Sequence, residues 1–346
     1  MIWSAAEPRS CKLLGSRFDR RDVLRAGASA AFGLTAPRSL MAADRIRINV
    51  VNTSGNTNVV LATLLKQEGI FEQLGLEANI LHVSDGSKLI GSLLSGEMDM
   101  CALSGFGQVL PAIEKGAKLK VLAGGSLLGL QGILTKNPAI KSVKDLEGRT
   151  VGTGSIGALL HQLVVALLRK KGVDEKKITF VNVGSSTDVF RAVVAGTIDA
   201  GPSEAWLQGR FGTHMLEGGG FYTDLQEYTY QASYGSDRAI ATKREAIVRT
   251  LAAYGKLYRF LGEAKSREPF VKAFAAATGK DNREEAEAQW QFYQDHRPFA
   301  VDLVLSEQRV RYMQDLNVSL GVQKSVLPYE QVCDMSLARD AVKLLG

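Results

Sequence analysis

Small polar residues and glycines occupy six turns that each accompany a strand-like segment, at residues 52–56, 84–87, 104–107, 154–157, 184–187 and 202–206. In such a turn, backbone N–H groups and the positive end of the following helix attract anions, and small side chains allow a close approach. Ser and Thr in the same positions also cap helices. A single turn is therefore explained by capping alone, whereas six turns in two matched sets favour ligand contacts at several of them.

The residue combinations that would indicate catalysis are missing from the sequence. The four histidines have neither paired spacing nor a Cys-x-x-Cys motif near them: His82, His161, His214 and His296. There is no Gly-x-Ser-x-Gly elbow, and Gly105-Phe106-Gly107 lacks the rest of a dinucleotide fingerprint. Cys101 lies in an apolar strand pattern, which predicts a buried free thiol more than a disulfide with Cys333. We expect no metal site and no cofactor.

The segments between these turns alternate between strand and helix patterns. Strand patterns occur first at 45–51, 78–83, 99–103 and 119–122, and then at 131–136, 149–153, 178–183 and 197–201. Helical apolar spacing separates most of them, which predicts parallel, doubly wound sheets. A return strand is expected at 238–242, and from Lys243 onward the spacing is helical, with breaks near Gly279 and Pro298.

The predicted fold class is therefore α/β, with two doubly wound lobes around a central cleft and a helical C-terminal extension. We expect the first lobe to comprise residues 44–132 and 236–346, including the C-terminal helices, and the second lobe to comprise residues 133–235. Ligands bind beyond the carboxyl ends of the strands in open parallel sheets. The polar turns should accordingly face the cleft.

The first 43 residues resemble a twin-arginine export signal. Arg20 and Arg21 precede Val23-Leu24-Arg25, and an uncharged run rich in Ala and Gly follows at 26–36. This run is shorter than the roughly 20 residues that span a bilayer. A chance arginine pair at the start of a surface helix is the alternative. We expect export to the periplasm and a mature chain that begins near Ala43 or Asp44.

The net charge of +6 comes mostly from this segment, because seven basic and three acidic residues precede Asp44. The rest of the chain carries 35 basic and 33 acidic residues, with no basic stripe. A nucleic-acid partner is therefore not expected.

Four segments carry a family resemblance: Glu-Gly-Ile-Phe-Glu-Gln-Leu-Gly-Leu at 68–76, Leu-Leu-Ser-Gly-Glu-Met-Asp at 93–99, Ser-Val-Lys-Asp-Leu-Glu-Gly-Arg-Thr-Val-Gly-Thr-Gly at 142–154 and Val-Ala-Gly-Thr-Ile-Asp-Ala at 194–200. Together they resemble the substrate-binding proteins of nitrate, sulfonate and taurine importers, a group that includes pyrimidine-precursor binders (the SsuA/THI5-like family). The resemblance covers about residues 46–263. These segments are mainly structural, and they say little about the ligand.

The resemblance implies two lobes of the periplasmic-binding-protein type II, which close on a small-molecule ligand. It also implies an ABC permease in the inner membrane as partner, and we expect a monomer. Carried over by position, the candidate ligand contacts are Thr53, Ser54, Asn56, Gly86, Ser87, Ser104, Gly105, Phe106, Ser155, Ile156, Ser185, Ser186, Ser203, Glu204 and Trp206.

Glu204 and Trp206 are each open to two interpretations. Relatives often have Trp-Glu-Pro or Trp-Asp-Pro where this chain has Ser203-Glu204-Ala205-Trp206. The order differs, because the tryptophan here follows the acidic residue instead of preceding it. Glu204 either faces the cleft and holds a ligand amine or ring N–H through a charge-assisted bond, or caps a helix. Trp206 either stacks on a ligand or packs between helices.

The function implied is capture of a small organic anion, such as a sulfonate or carboxylate, or of a heterocycle if Glu204 faces inward. Lys88 and Arg238 are the nearest cations in sequence to the cleft turns. Two enzyme groups resemble this fold: fungal pyrimidine synthases carry a run of cysteines before Phe-Gly, and sulfinate desulfinases use a cysteine in the first cleft loop. In place of the cysteine run, this chain has only Cys101 ahead of Phe106-Gly107, and it has no cysteine in 52–56. A periplasmic sensor or chemoreceptor module, and an enzyme of another type, are the alternative functions.

Overall fold

The computed structural model describes residues 45–83, 86–279 and 282–346. The predicted export signal, with Arg20 and Arg21, lies outside the described residues. The described residues contain ten strands, which are, in chain order, β1 (Ile46–Thr53), β2 (Leu76–Val83), β3 (Met100–Ser104), β4 (Leu119–Gly124), β5 (Gln131–Thr135), β6 (Thr150–Thr153), β7 (Thr179–Asn182), β8 (Ala200–Glu204), β9 (His214–Gly220) and β10 (Ala232–Ser236).

The strands form two five-stranded sheets with the same plan, in the orders β2-β1-β3-β10-β4 and β7-β6-β8-β5-β9. In each sheet four strands run in one direction and one strand runs against them: β10 lies antiparallel between β3 and β4, and β5 lies antiparallel between β8 and β9. The chain crosses to the second sheet between β4 and β5 and returns between β9 and β10. This arrangement confirms the predicted α/β fold class.

Helices cover the sheets and supply most of the C-terminal part of the chain. The α-helices of the described residues are α1 (Asn56–Gln67), α2 (Ile70–Gln73), α3 (Gly86–Ser95), α4 (Val109–Glu114), α5 (Leu159–Lys170), α6 (Ser186–Ala195), α7 (Phe221–Asp224), α8 (Asp237–Leu261), α9 (Arg267–Thr278), α10 (Arg283–His296), α11 (Glu307–Ser319), α12 (Tyr329–Val332) and α13 (Ser336–Lys343).

The C-terminal helices contact both halves of the protein. Helix α8 packs on the first sheet, and α9 packs on α1 and α10. Helix α11 also reaches α5 beside the second sheet, where Gln162 Nε2 donates a hydrogen bond to Asn317 Oδ1 (2.8 Å). Helix α10 contacts the loop after β8 through Arg210 and Glu285. The tail therefore bridges the two sheets in addition to bracing the first one.

Two aspartates in the family segments have matched structural roles. Asp99 accepts a hydrogen bond from the backbone N–H of Asn49 (2.8 Å), which ties the start of β3 to β1. Asp199 accepts from the backbone N–H of Thr150 (2.8 Å), which ties the start of β8 to β6. Because each carboxylate satisfies a backbone donor inside a sheet, these aspartates stabilise the fold.

Two strand predictions are corrected by the structure, and one strand was not predicted. Residues 238–242 lie in α8, because the Ser236 hydroxyl accepts from the N–H of Ala239 and starts a helix there. The returning strand is β10, directly before that helix. The strand expected at 197–201 is β8, Ala200–Glu204, so that Ser203 and Glu204 belong to the strand. The sequence pattern gives no indication of β9, which contains three glycines in a row.

Cys101 and Cys333 are both buried free thiols, which confirms the prediction for Cys101. Over the described ranges, no group of His, Cys, Asp and Glu side chains is arranged to hold a metal ion. None of the helices in this part of the chain is long and apolar enough to cross a membrane.

Candidate functional site

A cavity of about 790 Å³ lies between elements of the two sheets. On one side are the start of α1 and the facing sides of α9 and α10. On the other side are α6, the end of β8 and the loop that follows it. The lining residues are Asn56, Thr57, Thr187, Phe190, Arg191, Glu204, Trp206, Leu207, Arg210, Phe211, Phe274, Ala277, Thr278, Asn282, Glu285 and Gln289.

The first-sheet side of the cavity is polar and held in place by hydrogen bonds. Asn56 and Thr57 are the first two residues of α1. Gln289 of α10 donates from Nε2 to Thr57 Oγ1 (3.2 Å) and to the Tyr293 hydroxyl (2.6 Å). Because Gln289 is held by two partners, its position beside the start of α1 is set before any ligand arrives.

Glu204 faces the cavity from the opposite side. It is the last residue of β8, and Ser203 before it points away and is fully buried. The Ser186 hydroxyl donates to Glu204 Oε1 (2.5 Å). Burial raises the pKa of the Glu204 carboxyl, the Ser186 hydrogen bond opposes this, and the negative charge of Glu285 raises the pKa further. The side chain makes no capping hydrogen bond to the turn at 205–207.

Aromatic rings form much of the remaining wall: Phe190, Trp206, Phe211 and Phe274. Trp206 packs edge-on against Phe292 (ring centroids 5.5 Å apart) and Tyr293 (6.3 Å) of α10. It is only partly buried, and the rest of its surface lines the cavity. Trp206 thus packs against a helix, as one of its two interpretations has it. Its stacking on a ligand stays a prediction.

The loop at 209–212 forms the mouth of the cavity. Arg210 contacts Glu285 (Nη1 to Oε2, 2.8 Å) and Glu284 (Nη2 to Oε2, 3.2 Å) at the start of α10. Phe211 follows with a positive φ of 53° and a side chain that is 70% exposed. Gly209 and Gly212 on either side also have positive φ, which lets the chain turn tightly here.

The cations at the cavity differ from those expected from the sequence. Arg191 and Arg210 line it, whereas Lys88 and Arg238, the expected cations, are exposed residues outside the lining. The reason is that Arg191 lies within α6 and Arg210 in the loop after β8, both on the cavity side, while Arg238 belongs to the first turn of α8.

Of the fifteen residues carried over from the family, the structure brings four to this cavity. Asn56, Glu204 and Trp206 line it, and Ser186 reaches it through its hydrogen bond to Glu204. The others lie elsewhere, in buried networks, in helix caps or in exposed turns.

The buried members of this set belong to the protein interior. Ser104, Phe106 and Ser203 are at most 1% exposed. The backbone N–H of Thr53 donates to Ser104 Oγ (2.8 Å), which joins the ends of β1 and β3. Ser185 caps α6 in a reciprocal arrangement with Asp188.

The remaining members stand in turns outside the cavity lining. Ser54, Ser87, Ser155 and Ile156 are exposed, and Gly86 and Gly105 are partly buried. The turn that contains Gly105 packs directly on α5, where a Cβ at Gly105 would lie 3.3 Å from Leu159. Close packing of this turn on a helix, and not space for a ligand, explains its glycine.

Sequence reasoning missed the residues that the C-terminal helices and the 209–212 loop contribute. They include Phe274 and Ala277 of α9, and Glu285 and Gln289 of α10. No local pattern distinguishes these positions from ordinary helix surface. The paired glycines around Arg210-Phe211 are the one signal in the sequence for a special loop.

Residues 56–261 match the family model described as NMT1/THI5 like. Among solved structures, the alkanesulfonate-binding protein SsuA from Xanthomonas axonopodis pv. citri, bound to MOPS, has a TM-score of 0.69 and 20% identity, over 84% of this chain and 99% of that chain. The periplasmic aliphatic sulphonate binding protein SsuA from Escherichia coli has a TM-score of 0.66 and 20% identity, over 84% and 92%.

The same fold is found in an enzyme. The desulfurization enzyme DSZB has a TM-score of 0.60 and 14% identity, over 86% of this chain and 99% of that chain. No curated protein gives a significant match. At these identities the solved structures establish the fold, whereas the family model spans more than half of the sequence. The chain therefore belongs to the NMT1/THI5-like family, which confirms the resemblance found in its sequence.

Proposed function

We propose that this protein is a periplasmic solute-binding protein that captures a small organic molecule and delivers it to an ABC permease. The observation that carries the proposal is the cavity between the two sheets, which both halves of the chain line. Its volume of about 790 Å³ lies within the range of roughly 300–1,000 Å³ that is typical of small-molecule sites. The cavity wall combines polar groups held by hydrogen bonds with aromatic rings, which are what orientation and affinity require.

The thiol chemistry of the chain supports binding and not catalysis. Cys101 is fully buried, and this burial raises the pKa of its thiol to about 12. A thiol with such a pKa is not a nucleophile near neutral pH. The loop at 52–56, beside the cavity, contains no cysteine. This chain therefore lacks the cysteine nucleophile that the sulfinate desulfinases use in this loop.

The proposed location and partner rest on the family and on the N-terminal sequence. The similar proteins from Xanthomonas and Escherichia are described as binding proteins for sulfonates, and the latter as periplasmic. The twin-arginine pattern around Arg20 favours export of this chain as well. Two ligand classes follow from the sequence, a small organic monoanion and an N–H-bearing heterocycle.

A cavity-filling variant tests the proposal. Full-length protein is screened by thermal shift against sulfonates, carboxylates, amines and nitrogen heterocycles, because a ligand at 100 times its Kd stabilises by about 2.7 kcal/mol. Ala277 lines the cavity, so Ala277→Trp should abolish the shift. Ala276, the preceding residue of α9, is exposed, and Ala276→Trp should retain the shift.

Uptake measurements complete this test. Cells that lack the gene should fail to import the compound that shifts the wild type, and the Ala276→Trp gene should restore import while Ala277→Trp should not. A shift that survives Ala277→Trp would place the site elsewhere. Conversion of the bound compound by the purified protein would show an enzyme instead.

A further inference from the structure

Within the part of the chain that the structure describes, some charged side chains on the cavity wall have a partner of opposite charge and others do not. These side chains are Arg191, Glu204, Arg210 and Glu285. Arg210 contacts both Glu284 and Glu285, so its charge is already neutralised. Arg191 pairs with Asp188 of the same helix at 3.2 Å. Among the residues that the structure describes, Glu204 has no cationic partner.

The surroundings of Glu204 make this unpaired charge costly. Its hydrogen-bond partners in the described ranges are both neutral: the hydroxyl of Ser186, at 2.5 Å, and the backbone N–H of Glu204 itself. The charged side chain that acts on it most is another carboxylate, Glu285, which raises its pKa beyond the increase due to burial. A carboxylate removed from bulk water next to a like charge is stabilised by any donor that reaches its free oxygen.

The groups around this carboxylate favour a flat or apolar ligand body. Trp206 lines the cavity two residues after Glu204, and Phe190 and Phe274 line it from α6 and α9. An aromatic wall beside one isolated carboxylate attracts organic cations and N–H-bearing rings through dispersion, cation–π and hydrogen-bonding contributions together.

We infer that the cavity selects a ligand that directs a cationic or N–H donor group, such as an amine, an amidine or a ring N–H, at Glu204, with an apolar body against Trp206. This inference rests on the proposed function and chooses between its two ligand classes. A sulfonate or carboxylate at the same position would meet Glu204 with like charge. Of the two cavity arginines, Arg210 is already held by two carboxylates, and Arg191 is mostly exposed, where solvent weakens its attraction for an anion.

Two probes with the same body and opposite charge test this selection. Benzamidine and benzenesulfonate each present a phenyl ring, with a cation or an anion attached, and are titrated into the full-length chain by calorimetry at pH 8. We expect benzamidine to bind at least about tenfold more tightly, and Glu204→Gln to weaken it about 10- to 100-fold. Glu217 is an exposed strand residue outside the cavity, and Glu217→Gln should change neither affinity.

Tighter binding of benzenesulfonate, or an affinity for benzamidine that Glu204→Gln leaves unchanged, would overturn the inference while leaving the solute-binding function intact. Absence of binding by every compound of the wider screen would instead contradict the proposed function.

A ligand-free measurement tests the premise of the inference, the uncompensated charge of Glu204, even where neither probe binds tightly. If Glu204 is an uncompensated charge, Glu204→Gln should raise the melting temperature at pH 8. Ser186→Ala should lower the melting temperature of the wild type more than that of Glu204→Gln, because the amide oxygen accepts a weaker, uncharged hydrogen bond from the same hydroxyl. A lower melting temperature for Glu204→Gln would show that the carboxylate has a structural role, and would overturn the inference.

Discussion

Phe211 combines two features that are unfavourable in a protein without a ligand. Its backbone has a φ of 53°, in the left-handed region, and its ring is 70% exposed, with only a tilted contact to Phe190 at 6.2 Å. The left-handed conformation costs a non-glycine residue roughly 1–2 kcal/mol. Backbone strain of this kind is concentrated at functional sites. The position of Phe211 at the cavity mouth fits a ring that covers bound ligand.

Glycine and alanine substitutions separate the two features of Phe211. Both remove the ring, but only Phe211→Gly removes the strain. We expect the free energy of unfolding of Phe211→Gly to exceed that of Phe211→Ala by about 1 kcal/mol, as measured by denaturant unfolding. Both variants should bind the screening hit more weakly than the wild type, in calorimetry. Equal stability of the two variants would show that the backbone is relaxed in solution.

The stability of the protein should depend on pH through Glu204. Its pKa is raised in the folded state, so the folded protein holds this proton at pH values where the unfolded chain has lost it. Wild-type stability should therefore fall relative to Glu204→Gln as pH rises above 4.5, the usual value for this group, and the difference should level off above the raised pKa. Urea unfolding of both proteins from pH 4 to 8 measures this difference.

The groups that face Glu204 determine the width of the pH range over which its titration changes the stability of the protein. They are Ser186 on α6, Glu285 and Tyr293 on α10, and Tyr230 before β10. Burial raises the pKa of both tyrosines above their usual value, so they stay neutral over the measured range. Loss of the Ser186 donor should raise the pKa of Glu204 in the folded state further and so extend the upper limit of this pH range, while the lower limit, set by the unfolded chain, stays the same. A constant difference across the range would show that Glu204 titrates normally.

At the scale of elements, Arg210 connects the loop after β8 to the start of α10. The Arg210 and Glu285 side chains are only 24% and 25% exposed, and the Asn282 side chain donates to the same Glu285 oxygen at 2.8 Å. A partly buried pair with an additional hydrogen bond should contribute more than a solvated surface pair. We expect this contact to hold the mouth loop against the helix.

A double-mutant cycle with Arg210→Ala and Glu285→Ala measures that connection. We expect a coupling free energy of about 1 kcal/mol in chemical unfolding, at the upper end for such pairs. The control is the pair of Arg191 and Asp188, whose side chains are 70% and 45% exposed. Its coupling should stay below about 0.5 kcal/mol. Equal coupling free energies for both pairs would show that the contact between Arg210 and Glu285 does not hold the mouth loop against α10.

At the scale of the whole molecule, the two sheets are joined by two crossings of the chain, between β4 and β5 and between β9 and β10. A ligand that touches both sides of the cavity stabilises the conformation in which the sides are close. The screening hit should thus lower the radius of gyration in small-angle scattering. The same compound should leave Ala277→Trp unchanged, and an identical wild-type profile would indicate a rigid cavity.

We predict export by the twin-arginine route from Arg20 and Arg21, which lie outside the described residues. Replacement of both arginines by lysine should leave the precursor in the cytoplasm, because the twin-arginine route recognises the pair and not its charge alone. Fractionation of expressing cells measures this. An undiminished periplasmic yield would indicate that the general secretory route, or none, is used.

The sequence by itself determined the fold class and the family. Alternation of strand and helix patterns is a local property, and so are the segments at 68–76, 93–99, 142–154 and 194–200. The aspartates at the ends of two of these segments satisfy backbone donors in both sheets, at Asn49 and Thr150. Motifs of this kind can be recognised in a sequence because they satisfy backbone hydrogen bonds, and the same backbone groups need partners in every protein with this fold.

Only the tertiary structure decided which polar residues meet. The direction of Glu204 depends on the register of β8, since a shift of one residue in a strand moves a side chain to the opposite face. Gln289 reaches Thr57 across 232 positions of the chain, and Arg210 reaches Glu285 across 75. Such contacts follow from how α9 and α10 pack against α1 and the second sheet. Because helix packing depends on many core residues that are distant in the chain, no local sequence pattern predicts these contacts.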